Sequence, residues 1–134
     1  MRIFLDTNVL VAAFAARGLC ADVLRTVLAE HELITGEVVL AELRHVLAQR
    51  IKLPPGMVAD IVALLRAQEI IPRPASPSDI LVRDPDDRWI VASAVAGRAD
   101  VLVTGDQDLL AIAERAPLTI LNPRGLWDRL RSRR

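Results

Sequence analysis

Short apolar runs alternate along the chain with longer segments in which apolar residues recur every three or four positions. The short runs are typical of buried strands, and the longer period is typical of helices with one apolar face. Strands are expected at 2–5, 32–35, 69–71, 101–104 and 119–121, and helices at 9–16, 21–30, 38–49, 57–68, 85–96, 109–113 and 123–131. Strands separated by helices favour parallel crossovers, so the pattern predicts an α/β sandwich with a mostly parallel sheet.

Length and composition narrow the class of protein. With 134 residues, 52% of them hydrophobic, the chain is expected to form one domain over 1–134. The longest apolar run, 9–16, is far too short to cross a membrane, and no secretory signal is expected at the start of the chain. The single cysteine, Cys20, leaves no pair for an internal disulfide. We therefore expect a cytoplasmic protein without a membrane partner.

The charges balance, with 17 basic and 17 acidic residues, so no overall positive field marks a nucleic-acid-binding protein. All basic residues except Lys52 are arginine, which favours bidentate contacts with phosphate, although a bias in codon usage explains this composition equally well. Aromatic residues are only 3% of the chain, which disfavours a sheet that reads single strands by stacking bases. The segment 72–79, with prolines at 72, 74 and 77, is expected to be a loop.

Two aspartates stand directly beyond predicted strands. Asp6 follows the apolar run 3–5, Asp106 follows 101–103, and each precedes a predicted helix. Both are therefore expected at the carboxyl edge of the sheet, where ligands bind in open α/β folds. Helix capping is the alternative, because aspartate is a preferred N-cap residue.

Two more carboxylates fall on apolar helix stripes. Glu42 lies three residues after Val39 and four before Val46, so the period places it on the core side of its helix. Asp87 precedes Ile90 and Val91 in the same way. A capping arrangement remains open here as well, because a helix that begins at residue 85 would place Asp87 at its third position.

Four inward-facing acids without matching buried bases need a compensating charge. Two carboxylates ~5 Å apart repel by roughly 3 kcal/mol at an effective dielectric constant of ~20, so a cluster requires a bound cation or a proton. Oxygen ligands without cysteine or clustered histidine favour Mg²⁺ or Mn²⁺, one or two ions, over zinc. Such a site can activate water and hold a phosphodiester.

Four segments resemble the PIN domain family, and within it the VapC-like toxin ribonucleases of bacterial toxin–antitoxin systems. They are FLDTNVLVAAF (4–14), GEVVLAEL (36–43), RDPDDRWIVASA (83–94) and LVTGDQDLL (102–110). The resemblance implies a three-layer α/β/α sandwich with a five-stranded parallel sheet of order 3-2-1-4-5. It also implies a Mg²⁺- or Mn²⁺-dependent endoribonuclease that leaves 3′-hydroxyl and 5′-phosphate ends.

The family's catalytic, metal-binding quartet falls on the residues that the burial pattern selects, Asp6, Glu42, Asp87 and Asp106. The resemblance implies supporting roles for Asn8 and Thr104, which orient the cluster, and for Asp84 and Asp108, which can assist Asp87 and Asp106. It implies RNA, single-stranded or in a loop, as substrate, a cognate antitoxin as partner, and a homodimer. The arginine-rich segment 129–134 has no assigned role.

Three other functions remain to be weighed. A haloacid-dehalogenase-type phosphatase is disfavoured because Asn8 stands where that class has a second aspartate, and Lys52 is far from any late strand end. An RNA-processing PIN nuclease outside a toxin–antitoxin system fits the same residues. A partner-binding protein with little activity of its own also fits the apolar helices.

Overall fold

The computed structural model describes residues 1–132, and its centre is a five-stranded sheet. All strand pairs are parallel and the strand order is 3-2-1-4-5, which confirms the fold expected from the resemblance. Phe4 pairs with Ile34 on one side and with Leu102 on the other. The strands are Arg2–Leu5 (β1), Glu32–Gly36 (β2), Glu69–Ile71 (β3), Val101–Val103 (β4) and Thr119–Leu121 (β5).

Seven α-helices connect and follow the strands of the described chain. They are Thr7–Ala15 (α1), Leu19–Glu30 (α2), Glu37–His45 (α3), Pro55–Arg66 (α4), Asp87–Ala96 (α5), Gln107–Ala111 (α6) and Pro123–Ser132 (α7). A π-helical turn, Val46–Arg50, continues α3, and a 3₁₀ turn, Ala113–Arg115, follows α6.

The helices cover the sheet on both faces. Both α2 and α5 pack on β2. Helix α2 belongs to the crossover from β1 to β2, and α5 belongs to the crossover from β3 to β4. In the strand order 3-2-1-4-5, these two crossovers move across the sheet in opposite directions. Right-handed crossovers in opposite directions place their helices on opposite faces, so the fold is a three-layer sandwich. The interior residues of β1 and all of β4 are buried and apolar, as expected for a parallel sheet covered on both sides.

Two glycines allow α5 to lie close to the sheet. A Cβ atom on Gly36 would come within 2.2 Å of Ser93 Oγ. A Cβ atom on Gly97, directly after α5, would lie 2.9 Å from Ile71 Cγ1 and 3.1 Å from Ile34 Cγ2. Neither site has room for a side chain without movement of its neighbours.

Some element boundaries differ from the sequence expectation. The helix expected from residue 85 begins at Asp87, because Asp84 Oδ1 accepts the Asp86 N–H at 3.0 Å and closes a separate turn. The helix expected over 38–49 is α-helical only as far as His45. Of the arginine-rich segment 129–134, residues up to Ser132 form the end of α7, and 133–134 lie outside the described residues.

No single helix within residues 1–132 is long and apolar enough to cross a membrane. Helices α1 and α2 reach that length only together, with a bend of 104° between them. Val9, Leu10, Val23 and Val27 of these two helices belong to the buried core.

Candidate active site

Two neighbouring strands bring the first two acids together. Asp6 follows β1 and Asp106 lies three residues beyond the end of β4, and these strands pair side by side. The Asp6 N–H donates to Val103 O at 2.9 Å, which extends the β1–β4 pairing to the edge of the sheet. Both carboxylates line one cleft at this edge.

The Asp6 carboxylate is held by three hydrogen bonds. Oδ1 accepts the Thr7 N–H at 2.7 Å, and Oδ2 accepts from Thr104 Oγ1 at 2.8 Å and from Asn8 Nδ2 at 3.2 Å. Asp6 is only 4% exposed. Loss of hydration raises the pKa of Asp6 to about 6, against the opposing effect of the Thr104 and Thr7 hydrogen bonds. Asp6 is thus both the N-cap of α1 and a buried acid with a raised pKa.

Asp106 also caps a helix while it lines the cleft. Its Oδ1 caps α6 by accepting the Asp108 N–H at 2.8 Å. Its own N–H donates to Thr104 Oγ1 at 3.0 Å, so one hydroxyl group bridges Asp6 and Asp106. Asn8 adds a second link, because its Oδ1 accepts the Gly105 N–H at 2.8 Å. The capping interpretation is therefore correct for both acids, and capping does not remove them from the cleft.

Asp87 is the most exceptional carboxylate of the cleft. It is 7% exposed, and its Oδ2 has no hydrogen-bond partner within residues 1–132. Loss of hydration raises the pKa of Asp87 to about 7, and the negative charges of Asp106, Asp84 and Asp6 contribute to the rise. A buried carboxylate oxygen without a donor is costly unless a cation or proton binds there.

Glu42 lies in the same cleft but is exposed, contrary to the expectation that it faces the core. Val39, Leu40 and Leu43 form the buried stripe of α3, and Glu42 lies at the margin of this stripe, so it lines the cleft instead of the core. Neighbouring protein still partly desolvates the carboxylate and raises the pKa of Glu42. The Thr7 hydroxyl opposes this rise, although Thr7 Oγ1 has no partner with normal hydrogen-bond geometry. We infer that the two groups are close without being hydrogen-bonded.

The cleft has a volume of about 350 Å³ and brings all four acids of the expected quartet together. Of the four supporting residues, Asn8 and Asp84 line it, and Thr104 lies behind it against Asp6. Six of the residues that line the cleft are acidic. The lining consists of Asp6, Asn8, Val38, Glu42, Arg73, Asp84, Asp86, Asp87, Trp89, Ile90 and Asp106.

The side chains of this region suit a divalent cation. One carboxylate oxygen each of Asp87, Asp106 and Asp108 lie within 4.8 Å of one another. Together with the unpartnered Asp87 Oδ2, this oxygen-only set has the chemistry that Mg²⁺ and Mn²⁺ prefer. Asp108 therefore belongs to the tightest acidic group, whereas Asp6 and Glu42 line the cleft outside it.

Sequence reasoning missed three residues of the cleft. Asp86 was passed over in favour of its neighbours in the DPDD segment. The Arg73 guanidinium lies over the ring of Trp89, with its carbon 4.1 Å from the ring centroid. Trp89 lies on the helix of Asp87 but only two residues after it, so helical phase puts the two side chains on different faces. Arg73 lies in a loop without periodicity, so no pattern indicated the position of either residue.

The chain belongs to the PIN domain family. Residues 2–108, which include all four acids of the quartet, match the model of the PIN domain. This match confirms the resemblance seen in the four sequence segments. No curated protein matches the chain in sequence.

Several solved structures share this fold. VapBC2 from Rickettsia felis, bound to a DNA fragment from its promoter, superposes with a TM-score of 0.64 at 22% identity, over 91% of this chain and 98% of its own. FitAcB from Neisseria gonorrhoeae gives 0.63 at 19% identity, over 91% and 98% of the two chains. VapC20 of Mycobacterium tuberculosis, a toxin that cleaves the sarcin–ricin loop, gives 0.57 at 18% identity, over 81% and 93%.

Proposed function

We propose that residues 1–134 form a single PIN domain that is a Mg²⁺- or Mn²⁺-dependent endoribonuclease and the toxin of a cytoplasmic toxin–antitoxin pair. The observation that carries the proposal is the buried Asp87, whose Oδ2 has no partner within residues 1–132, and which lines a cleft together with Asp6, Glu42 and Asp106. A cation is the group that most directly satisfies such a cluster at neutral pH. The family membership and the toxin folds it resembles support the same activity.

In this proposal the chain's residues divide the work by position. Asp87 and Asp106, with Asp108 beside them, hold the ion, which when bound activates water and polarises the scissile phosphate. Asp6, fixed by Thr104, orients the cluster from the sheet side. Glu42, exposed on α3, accepts the proton of the attacking water. As the water oxygen bonds to phosphorus, the bond from phosphorus to O3′ breaks and O3′ takes a proton from solvent, so that 3′-hydroxyl and 5′-phosphate ends result.

The proposed antitoxin has a candidate binding surface outside the cleft. A groove of about 750 Å³ between the π-helical turn and α4 is lined mainly by apolar side chains, including Leu53, Val58 and Val62, with Arg44 and Lys52 among the basic residues that line it. Such a groove suits an amphipathic segment with acidic residues. The resemblance to the VapC-like toxins of toxin–antitoxin systems supports a partner of this kind. A homodimer is proposed on the family resemblance alone.

The activity is tested by incubating the purified protein with labelled single-stranded RNA and with a structured stem–loop, in Mg²⁺, in Mn²⁺ and in EDTA. We expect cleavage only with metal. Asp87→Asn should lower the rate at least about a hundredfold, because it removes charge where the transition state needs it. Asp60→Asn, which removes an exposed carboxylate on α4, is the matched control and should cleave normally. Cleavage in EDTA, or full activity of Asp87→Asn, would contradict the proposal.

The toxin assignment needs a separate test. Expression of the wild-type chain in a bacterial host should arrest growth, and expression of Asp87→Asn should not. If a short reading frame overlaps or adjoins the gene for this chain, its co-expression should restore growth. A nuclease that cleaves RNA in vitro without arresting growth would instead be an RNA-processing PIN domain, and a protein that binds its partner but cleaves no RNA would be a binding protein.

A further inference from the structure

A stacked cation–aromatic pair lies at the acidic cleft. The Arg73 guanidinium carbon is 4.1 Å from the centroid of the Trp89 ring, and both side chains line the cleft. Among the described residues, Arg73 is the only basic residue and Trp89 the only aromatic residue in that lining. A polyanion that enters a cleft with six carboxylates therefore meets one fixed positive charge there.

Arg73 is not used as an internal counter-ion. Asp84 and Asp86 line the same cleft, yet within residues 1–132 the Arg73 guanidinium makes no ion pair and no hydrogen bond. Arg2, Arg25 and Arg66, in contrast, each form an ion pair with an acidic side chain. Arg73 is exposed, so its five N–H donors are available to a ligand.

The position of the pair is fixed by the fold. Strand β3 ends at Ile71, so Arg73 follows it at the carboxyl edge of the sheet. At the other end of the loop, the Ser78 N–H donates to Arg88 O at 3.0 Å, and Arg88 Nε donates to Ser78 O at 2.6 Å. These two bonds tie the loop to the first turn of α5, which carries Trp89. The loop and the helix therefore hold the guanidinium and the ring together.

We propose that Arg73, stacked on Trp89, binds a backbone phosphate of single-stranded RNA next to the scissile phosphodiester. The guanidinium fork matches two phosphate oxygens, and the stack holds its plane so that less rotamer freedom is lost on binding. The face of the guanidinium away from Trp89 can also stack on a base. The inference rests on the proposed ribonuclease function and names the residues that position its substrate.

Binding is measured by fluorescence anisotropy with a fluorescein-labelled oligouridylate of about 12 nucleotides. All proteins carry Asp87→Asn, so that the RNA is not cut, and Mg²⁺ is present. Arg73→Ala should weaken RNA binding about tenfold. It should also make the slope of log association constant against log salt concentration less steep by about 0.7, the value for one lost phosphate contact. Arg73→Lys should keep the slope and recover only part of the affinity. Trp89→Leu should also keep the slope. Thermal unfolding of this variant checks that it is folded.

The control is Arg17→Ala, which removes an exposed arginine in the turn after α1 and should change neither affinity nor slope. In proteins with Asp87 intact, Arg73→Ala should raise KM and leave kcat unchanged, as expected for a group that binds substrate and transition state equally.

The possible outcomes separate this inference from the nuclease proposal. If the intact protein cleaves RNA and Arg73→Ala keeps the parent affinity and slope, the role of Arg73 is overturned and the nuclease stands. If Arg73→Ala instead lowers the Mg²⁺ concentration needed for half-maximal activity at unchanged slope, Arg73 is a counter-ion of the acids. If RNA binds through Arg73 but is never cut, the nuclease proposal falls and the phosphate site stands. Absence of RNA binding would overturn both.

Discussion

The metal-free protein should lose stability as pH rises, and Asp6→Asn should remove much of that loss. Asp6 is almost fully buried, and its pKa is raised from the ordinary 3.8 to about 6 mainly by loss of hydration. The folded state therefore holds a proton that the unfolded state releases at lower pH. The charge of Asp6 therefore opposes folding at every pH at which the carboxylate is ionised in both the folded and the unfolded state.

The sign and size follow from linkage. Below the ordinary pKa of 3.8 both states are protonated and no stability is lost. As pH rises towards about 6 the folded state binds more protons than the unfolded state, so the free energy of unfolding falls. Because the pKa of Asp6 in the folded state is higher than its ordinary value by about two, the free energy of unfolding is lower by about 3 kcal/mol once Asp6 is ionised in both states. The raised pKa of Asp87, about 7, extends the pH range of the loss.

Asparagine at position 6 removes the charge and changes one hydrogen bond. Its carbonyl oxygen can still accept from Thr104, but its NH₂ group then faces the Thr7 N–H and the cap of α1 is lost, at about 1 kcal/mol. Asp6→Asn should therefore be less stable than the parent by about 1 kcal/mol at acidic pH, near 4. Above the raised pKa it should be more stable by about 2 kcal/mol, the difference between the two effects.

The assay is urea unfolding in EDTA, followed by the fluorescence of Trp89 and Trp127, at pH values across this range. The parent and Asp6→Asn curves of unfolding free energy against pH should cross. Asp60→Asn should run parallel to the parent, because Asp60 is exposed on α4 and does not line the cleft. Parallel curves for the parent and Asp6→Asn would refute the reasoning that burial of Asp6 costs stability.

Gly97→Ala, with Gly56→Ala as its control, tests the packing near the site, and Thr104→Val tests the hydrogen bond that supports Asp6. Gly97→Ala should destabilise the protein by about 1–3 kcal/mol, because its methyl group would lie 2.9 Å from Ile71 Cγ1. Gly56→Ala, in α4 with nothing within 4 Å, should be neutral or stabilising by up to about 1 kcal/mol in the same urea assay. Thr104→Val should cost about 1–3 kcal/mol and move the pH midpoint of the stability loss upward, because the Thr104 hydrogen bond lowers the pKa of Asp6. An unchanged midpoint in that variant would show that Thr104 does not support the carboxylate.

The parts of the site that follow regular elements could be predicted from sequence. Asp6 and Asp106 end apolar strands, so a parallel sheet places them at one edge whatever its other details. Asp87 could be placed from its helix phase even though the helix starts two residues later than expected. The strand order, in contrast, came from the family resemblance, because alternation of strands and helices does not specify which strands are neighbours.

Residues at the ends of elements were harder to place. Helical phase put Glu42 with the apolar stripe of α3, but Glu42 lies at the margin of that stripe and is exposed in the cleft, a distinction that the period of the apolar residues does not resolve. Arg73 reaches the cleft through a loop tied by Ser78 and Arg88, and these bonds join residues 10 apart across an irregular segment. Such placement depends on tertiary hydrogen bonds and leaves no periodic signal.

The bridge made by the Thr104 hydroxyl also has a consequence for synthesis of the chain on the ribosome. Thr104 and Asp6 are 98 residues apart in sequence, and β1 has no partner in β4 until residues 101–103 have been made. Contacts of such long sequence separation form late in folding. A nascent or prematurely terminated chain that ends before β4 therefore carries Asp6, Glu42 and Asp87 without an assembled cleft, so the activity proposed here would appear only after β4 and Asp106 have been translated.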